Sequence, residues 1–195
     1  MSIVGFVVAG GQSRRMGRDK ALLPWGGTDL LGHALARLHA VTSDVRILCG
    51  PEPRYLDRAV PVETDRVRDI GPLAGILTGL AAALGRPGLF LAVDLPHVPV
   101  ALLARLVERA GDCDAVVPAS LRGPEPLCAV YGSACLEPLR RRATAGDFKM
   151  TSFWPEVRVH ELRPSELAAF GDPATLFHNV NAPADLPGDA GVSGR

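Results

Sequence analysis

The sequence has no excess of charge of either sign. Lysine plus arginine number 21 and aspartate plus glutamate number 21, so the formal net charge is zero. A general nucleic-acid-binding surface normally carries a basic excess, and this balance argues against nucleic acid as a partner. The basic cluster at residues 14–20 is local, which fits a small anionic ligand better than a polymer.

Cysteine is scarce, and the four cysteines do not form a metal motif. Cys49, Cys113, Cys128 and Cys135 include no pair with C-x-x-C spacing, and no histidines lie at matching intervals. A zinc site is therefore not expected. The first residues do not resemble a secretory leader, so we expect reduced thiols in a cytoplasmic protein.

Long hydrophobic runs are also missing. The longest uncharged apolar run, residues 73–84, has 12 residues and contains two glycines, whereas a bilayer-spanning helix needs about 20 apolar residues. We therefore expect no membrane partner. At 195 residues the chain predicts one domain, residues 1–186, followed by a small polar tail, residues 187–195, that we expect to be disordered.

Apolar stretches of strand length alternate with amphipathic stretches of helix length. This pattern is typical of an α/β protein with a mostly parallel sheet. Residues 3–8 are too apolar for a half-exposed strand and belong in the middle of that sheet. The other predicted strands are 45–49, 89–93, 114–117, 127–131 and an edge strand, 157–162; the predicted helices are 30–41, 72–84, 100–109 and 133–142.

The loop after the first strand, VVAGGQSRRMGRDK at residues 7–20, has the composition of a phosphate-binding loop. Gly10 and Gly11 lack a Cβ, so the backbone can bend sharply and approach a ligand closely. Ser13 can cap the following turn, and free backbone N–H groups can face an anion. Charge for phosphate oxygens is supplied by Arg14, Arg15, Arg18 and Lys20. The mixture of planar guanidinium and compact ammonium groups suits a polyphosphate.

Two familiar phosphate motifs do not match this loop. The P-loop has the form G-x-x-x-x-G-K-[ST], whereas here Gly17 is followed by Arg18 and Asp19. The dinucleotide fingerprint G-x-G-x-x-G also needs an acidic residue at the end of the second strand. That strand ends in LCG at residues 48–50, so a redox dinucleotide enzyme is disfavoured.

The longer segment AGGQSRRMGRDKALLPWGG, residues 9–27, resembles the signature L-A-G-G/A-x-S-x-R-M-G-x-D-K of nucleotidyltransferases with the sugar-nucleotide pyrophosphorylase fold. Its Gly-Gly and Asp-Lys positions most resemble the molybdenum cofactor guanylyltransferases, the MobA family, and the likeness covers residues 3–186. The resemblance implies a three-layer α/β/α, Rossmann-like (GT-A-like) fold. It also implies that the nucleotide contacts Val8, Ala9, Gly10, Gly11, Ser13 and Lys20. Arg15 and Lys20 would assist the leaving phosphates.

A second landmark is GPLAG at residues 71–75, which opens a predicted helix. Taken alone, Pro72 suits a first helical turn, and the small residues permit close packing of helix against sheet. In the family that the chain resembles, this turn, with Gly71 and Pro72, lies near the nucleotide, and an aspartate shortly before it helps to bind guanine nucleotide. Asp65 is the preferred match because it follows residues 62–64 as the family aspartate follows its strand. Asp69 is a competing match.

The third landmark, LFLAVDLPHVP at residues 89–99, places Asp94 at the end of a buried strand. A carboxylate there is unfavourable unless a metal ion or ligand compensates it, and α/β folds bind ligands at the carboxyl ends of parallel strands. Asp94 is therefore predicted to hold Mg²⁺, which typically takes one or two protein carboxylates. The alternative is that Asp94 only caps the turn into Pro96. We expect His97 to be structural.

The last landmark is FHNVNAPADL at residues 177–186. Asn179 and Asn181 flank Val180, so in an extended segment they share one face; alternatively, both amides cap a helix that starts at Pro183. Similarity to the family pattern N-[VI]-N-[TA]-P-x-[DE]-L implies that this loop closes the active site, with Asn181 near the metal and the pterin-side substrate.

The sequence departs from the family pattern at two positions. Residues 45–49 lack the asparagine that commonly contacts the nucleotide in or after the second strand. Residues 146–149, Gly-Asp-Phe-Lys, stand where a glycine is usually followed by an Arg-Arg pair. The first change affects contacts to the base, and the second leaves one cation for the substrate side.

The implied reaction is attack by the terminal phosphate of molybdenum-loaded molybdopterin on the α-phosphorus of a nucleoside triphosphate, which releases pyrophosphate. Such a step needs alignment and positive charge rather than a protein nucleophile. GTP is the expected donor, because Gly11 stands where cytidylyl and uridylyl relatives usually carry alanine. A cytidylyltransferase, a sugar-phosphate nucleotidyltransferase and a non-catalytic nucleotide-binding regulator stay as alternatives. Other cofactor-biosynthesis proteins and acceptor molybdoenzymes are further expected partners.

Overall fold

The computed structural model describes residues 2–10, 19–65, 67–180 and 185. Its strands are β1 Val4–Val8, β2 Pro24–Trp25, β3 Thr28–Asp29, β4 Asp44–Leu48, β5 Val62–Glu63, β6 Gly88–Ala92, β7 Ala115–Ser120, β8 Gly123–Pro124, β9 Cys128–Tyr131 and β10 Val159–Leu162. Its α-helices are α1 Leu30–His39, α2 Pro72–Ala82, α3 Val100–Arg109, α4 Leu136–Thr144 and α5 Pro164–Leu167. Short 3-10 turns cover Lys20–Leu22, Ser133–Cys135 and Trp154–Glu156. Among the described helices, none has the length and hydrophobicity that a membrane crossing requires.

The central sheet has the strand order β10-β7-β9-β6-β1-β4-β5, with β8 paired to β7. The strand β1 pairs in parallel with β4 and β6, β4 with β5, and β7 with β10. The strand β9 is antiparallel to both of its neighbours, β6 and β7. Two antiparallel pairings in succession restore the direction, so β7 runs parallel to β6. The carboxyl ends of six strands therefore lie along one edge, as the predicted mostly parallel sheet requires.

Helices cover both faces of the sheet because the buried side chains of its strands alternate in direction. Val7 of β1 belongs to the core that includes Leu31 of α1, together with residues of α3 and α5. Phe6 belongs to the opposite core, with residues of α2 and α4, and its ring stacks on Phe90 of β6 with centroids 5.0 Å apart. This arrangement confirms the predicted three-layer α/β/α fold.

Most boundaries of the predicted elements lie within two residues of those observed, and the two larger differences have identifiable reasons. The strand predicted at 114–117 continues as β7 to Ser120, because Pro118 needs only its carbonyl to pair and accepts a hydrogen bond from Glu125 N at 2.8 Å. The helix predicted at 133–142 begins as a 3-10 turn and becomes α-helical at Leu136. The predicted edge position of the last strand is confirmed, since β10 ends the sheet order.

Candidate active site

The segments that leave β1, β4 and β6 lie side by side at the carboxyl edge of the sheet. Ala9 N donates to Leu48 O at 2.8 Å, and Val93 N donates to Val8 O at 3.1 Å. These bonds extend the pairing one residue beyond each strand end. The residues at the end of β1 are therefore held between the end of β4 on one side and Val93, which precedes Asp94, on the other.

Two glycines permit this close approach. A Cβ on Gly10 would lie 2.8 Å from Gly50 N and 2.9 Å from Gly50 Cα, distances that a real side chain does not tolerate. Gly50 itself has a φ of +85°, a conformation that favours glycine. Gly10 therefore makes room for the neighbouring backbone, in addition to the approach to a ligand that the sequence predicts. Gly11, Ser13 and Arg15 lie outside the described residues.

Lys20 and Asp94 form an ion pair at this edge although 74 residues separate them in sequence. Lys20 Nζ lies 2.8 Å from Asp94 Oδ2, and the two side chains are 16% and 26% exposed. Lys20 begins a 3-10 turn that Asp19 caps by accepting a hydrogen bond from Ala21 N at 3.1 Å. The structure thus brings together the ammonium and the carboxylate that the sequence assigns to catalysis.

Arg54 and Tyr55 were not found by sequence reasoning, yet they fix the residues on which Lys20 depends. Arg54 Nη2 donates to Ala9 O at 3.1 Å and to Cys49 O at 2.8 Å, and its Nη1 lies 3.2 Å from Asp19 Oδ2. The Tyr55 hydroxyl donates to Asp19 at 2.7 Å. Burial, and then the hydrogen bond to Asp19, raise the pKa of Tyr55. A polar loop residue has no periodicity to mark it, so the sequence carried no signal for this role.

Asp65 lies on the β4–β5 side of the edge. Its backbone N donates to Gly50 O at 2.8 Å. Its Oδ1 is buried without a hydrogen-bond partner among the described residues, and burial raises the pKa of the carboxyl group against the opposing effect of a hydrogen bond to Thr78. Asp69, the competing match, is exposed and has a φ of +62°. Of the two aspartates, Asp65 is the one with an unsatisfied acceptor beside the strand ends.

The helix α2 starts at the same edge, because it follows β5 and runs back over the sheet. Gly71 precedes it with a φ of +62° and ψ of −147°, and Pro72 occupies its first turn, as predicted. Both residues are exposed. The first N–H groups of a helix lack intrahelical partners and favour an anion, so this position suits a phosphate or a ribose hydroxyl.

Cys49 stands at the end of the strand in which the family asparagine is missing. Its thiol lies 3.3 Å from Glu52 O and 3.4 Å from Glu63 O, and the residue is fully buried. The side chain is therefore directed towards backbone carbonyls, and any base contact normally made by the asparagine has to come from another group.

The segment that ends at Val180 lies on the other side of Asp94. Val180 N donates to Asp94 O at 3.0 Å, Val180 is buried, and Asn179 is exposed. The shared face expected for Asn179 and Asn181 stays a prediction. Asn181 lies outside the described residues, but the bond from Val180 places the described end of this segment directly beside Asp94.

Aromatic and imidazole rings surround the turn after Asp94. The ring of His97 meets Trp25 edge-on at 5.3 Å and lies 6.4 Å from the ring of His178. Burial, followed by the charge of His178, lowers the pKa of His97. His33 Nε2 lies 3.1 Å from Pro96 O. These rings lie around the turn, and the structural role expected for His97 stays a prediction.

The described residues around Asp94 offer a single carboxylate rather than a cage of several metal ligands. Within residues 2–10, 19–65, 67–180 and 185, no three His, Cys, Asp or Glu side chains come together to hold a metal. Magnesium needs only one or two protein carboxylates and takes its other oxygens from phosphates and water. The Asp94 carboxylate, about one quarter exposed at the sheet edge, supplies a ligand of that kind.

The fold and this edge define a class of protein: an α/β nucleotide-binding enzyme whose site lies at the carboxyl ends of parallel strands. The family model described as the MobA-like NTP transferase domain matches residues 5–159. The chain belongs to that family and is a nucleotidyltransferase.

One curated relative supports this assignment, and two solved structures share the fold. A probable molybdenum cofactor guanylyltransferase of Pelotomaculum thermopropionicum is 33% identical over 95% of this chain and 91% of its own length. The crystal structure of molybdopterin-guanine dinucleotide biosynthesis protein A from Archaeoglobus fulgidus has a TM-score of 0.79 at 24% identity, with 94% of each chain covered. A manganese complex of a Mycobacterium tuberculosis protein has a TM-score of 0.60 at 23% identity and covers 83% of this chain and 87% of its own.

Proposed function

We propose that the protein transfers GMP from GTP to the terminal phosphate of molybdenum-loaded molybdopterin, which forms the guanine dinucleotide cofactor and releases pyrophosphate. The observation that carries the proposal is the Lys20–Asp94 ion pair, 2.8 Å long, at the carboxyl ends of adjacent parallel strands. The names of relatives at about one-third identity supply the substrates.

The nucleotide would occupy the β1–β4–β5 part of the edge. Asp65 carries a buried oxygen without a partner among the described residues, and such an oxygen is stabilised by a donor. Guanine N–H groups and ribose hydroxyls are donors of this kind. The other proposed nucleotide contacts are Val8, Ala9, Gly10, Gly11, Ser13, Lys20, Gly71, Pro72 and Asp94.

Asp94 would hold Mg²⁺, which neutralises charge on the triphosphate when bound. Lys20 lies against the same carboxylate, so its ammonium is within reach of phosphate oxygens that approach Asp94. The positive charge of Lys20, together with that of Arg15, would stabilise the charge that develops on the leaving pyrophosphate. The acceptor phosphate is already an anion, so the attack requires no general base on the protein.

The acceptor would enter from the Val180 side of Asp94, where Asn179 and Asn181 are proposed to contact it. We place the reaction in the cytoplasm, because the thiols of Cys49, Cys113, Cys128 and Cys135 are free and such thiols persist in a reducing compartment. Other cofactor-biosynthesis proteins and acceptor molybdoenzymes would be its partners there.

The test is release of pyrophosphate with Mg²⁺ and molybdenum-loaded molybdopterin, offering GTP, CTP, UTP and ATP in parallel. We expect turnover with GTP alone and a loss of at least about a hundredfold in kcat for Asp94→Asn. The matched control is Asp112→Asn, whose carboxylate is 73% exposed on the surface and whose loss should leave turnover unchanged.

Three other results would contradict parts of the proposal. Turnover with CTP would keep the mechanism and overturn the choice of base. Full activity of Asp94→Asn would remove Asp94 from the reaction. Binding of GTP without pyrophosphate release would favour the non-catalytic regulator.

A further inference from the structure

A small pocket lined by both apolar and polar side chains opens at the carboxyl edge of the sheet, away from the nucleotide side. It has a volume of about 90 Å³, which corresponds to about three water molecules at their liquid density. This space accommodates the edge of a ring rather than a whole ligand. Its wall includes Ser120, Arg122, Glu125, Pro173, Ala174 and Phe177.

The pocket lies on the opposite side of Asp94 from Asp65. In the strand order β7-β9-β6-β1-β4-β5, the pocket follows β7 and Asp65 follows β5, while Asp94 follows β6 between them. Because β7 is parallel to β6, the pocket and Asp94 belong to the same edge. A ligand in this pocket would therefore approach Asp94 from the side that the nucleotide leaves free.

Two chain connections limit the distance between the pocket and Asp94. Val180 N bonds to Asp94 O at 3.0 Å, and Phe177 precedes Val180 by three residues, so the backbone of Phe177 lies at most about 15 Å from that of Asp94. On the other side, Leu127 O accepts a bond from Ala92 N at 2.8 Å. A fused ring system with a phosphate arm spans a comparable distance.

Glu125 lines the pocket, and its backbone is held on both sides. Its backbone N donates to Pro118 O at 2.8 Å, and its carbonyl accepts from Cys128 N at 3.0 Å. The side chain is half-buried, and burial raises the pKa of its carboxyl group against the opposing effects of Ser120 and then Arg122. Ser120 is 8% exposed, and its hydroxyl donates to Gly123 O at 3.2 Å. A carboxylate in this setting gains from a ligand that donates two hydrogen bonds.

We propose that Glu125 binds the edge of the acceptor's pterin ring and thereby determines acceptor specificity. The pyrimidine half of a pterin carries a 2-amino group beside N3–H, and these two parallel donors match the two oxygens of a carboxylate. Guanine carries the same pair of donors, but its expected contact, Asp65, lies across Asp94 from this pocket. This inference rests on the proposed function, since that function makes a pterin the acceptor.

The test is equilibrium binding of two fluorescent probes, without GTP and without turnover. One probe is 6-hydroxymethylpterin monophosphate; the other is the matching lumazine phosphate, in which a carbonyl replaces the 2-amino group. We expect the native protein to bind the pterin about tenfold or more tightly than the lumazine. Glu125→Gln should lose that preference, because the NH₂ group of the glutamine amide would face one of the two N–H donors of the pterin edge. Glu161→Gln, an exposed change on β10, is the control and should behave as native.

Binding of GTP is measured in parallel. Unchanged GTP affinity in Glu125→Gln, together with the lost pterin preference, would support the assignment. Equal binding of both probes by the native protein would overturn it, and so would parallel loss of GTP and pterin binding in the variant, which indicates a guanine contact or a damaged fold. A native preference for the pterin without GMP transfer would support the pocket and refute the proposed reaction.

Discussion

Replacing Gly10 by alanine tests whether the edge depends on contact between two backbones. The new Cβ would lie 2.8 Å from Gly50 N and 2.9 Å from Gly50 Cα, so one of the two chains has to move. Overpacking of this kind destabilises by about 1–3 kcal/mol. For a chain of this size each kcal/mol corresponds to about 2–4 °C in Tm, so Gly10→Ala should lower Tm by about 2–12 °C without nucleotide.

Gly75→Ala is the matched control, since it makes the same chemical change within α2. Its Cβ would lie 3.6 Å from Val8 Cγ1 and 3.8 Å from Leu48 Cδ1, which are ordinary contacts. Alanine is favoured over glycine inside a helix by about 0.8–1.0 kcal/mol, so Tm should rise. Thermal unfolding followed by circular dichroism measures both variants. The reasoning is refuted if Gly10→Ala melts with the native protein, or if both variants shift in the same direction.

Two further predictions concern buried groups. Of the four cysteines, all of which are described, Cys113 is the one that is not fully buried. Burial raises the pKa of its thiol, so labelling of the native protein by a disulfide reagent should be slow at pH 7, faster above about pH 9, and absent in Cys113→Ser. Rapid labelling of a second thiol would contradict the structure. Burial raises the pKa of the Asp65 carboxyl group in the folded state, whereas in the unfolded chain this pKa is about 4. Ionisation of Asp65 therefore destabilises the folded state at a pH above the folded-state pKa and has no effect on stability at a pH below the unfolded-state pKa. Asp65→Asn should therefore unfold at higher denaturant concentration than native protein at pH 7 but not at pH 3.5, with weaker GTP binding; a pH-independent difference would rule out this cause.

The site residues that could be predicted from the sequence are those whose residue type is uncommon at their position in a strand or motif. A carboxylate at the end of the buried strand β6 marked Asp94, and the loop motif marked Lys20, each as a separate site residue; their ion pair at 2.8 Å is known only from the structure. Arg15 and Asn181 lie outside the described residues and stay predictions. The mostly parallel sheet followed from the alternation of apolar and amphipathic stretches.

Other parts had no signal in the sequence. Arg54 acts through its contacts with Ala9, Cys49 and Asp19, and such tertiary contacts leave no spacing to detect. The reversed direction of β9 was also hidden, because four apolar residues have the same composition in either direction. Glu125 is a single carboxylate in a polar loop, and only folding shows that it lines a pocket.

The reversal of β9 separates the nucleotide part of the edge, at β1, β4 and β5, from the pocket part, and this bears on how substrate choice could evolve. In the nucleotide part, each segment at the edge follows the carboxyl end of a strand, and these segments also support Lys20 and Asp94. In the pocket part, residues 121–127 reach the edge before β9 begins. That connection can change length or composition while the nucleotide part keeps its geometry. A single scaffold could thus acquire new acceptors by altering one hairpin, without rebuilding the machinery that activates the nucleotide.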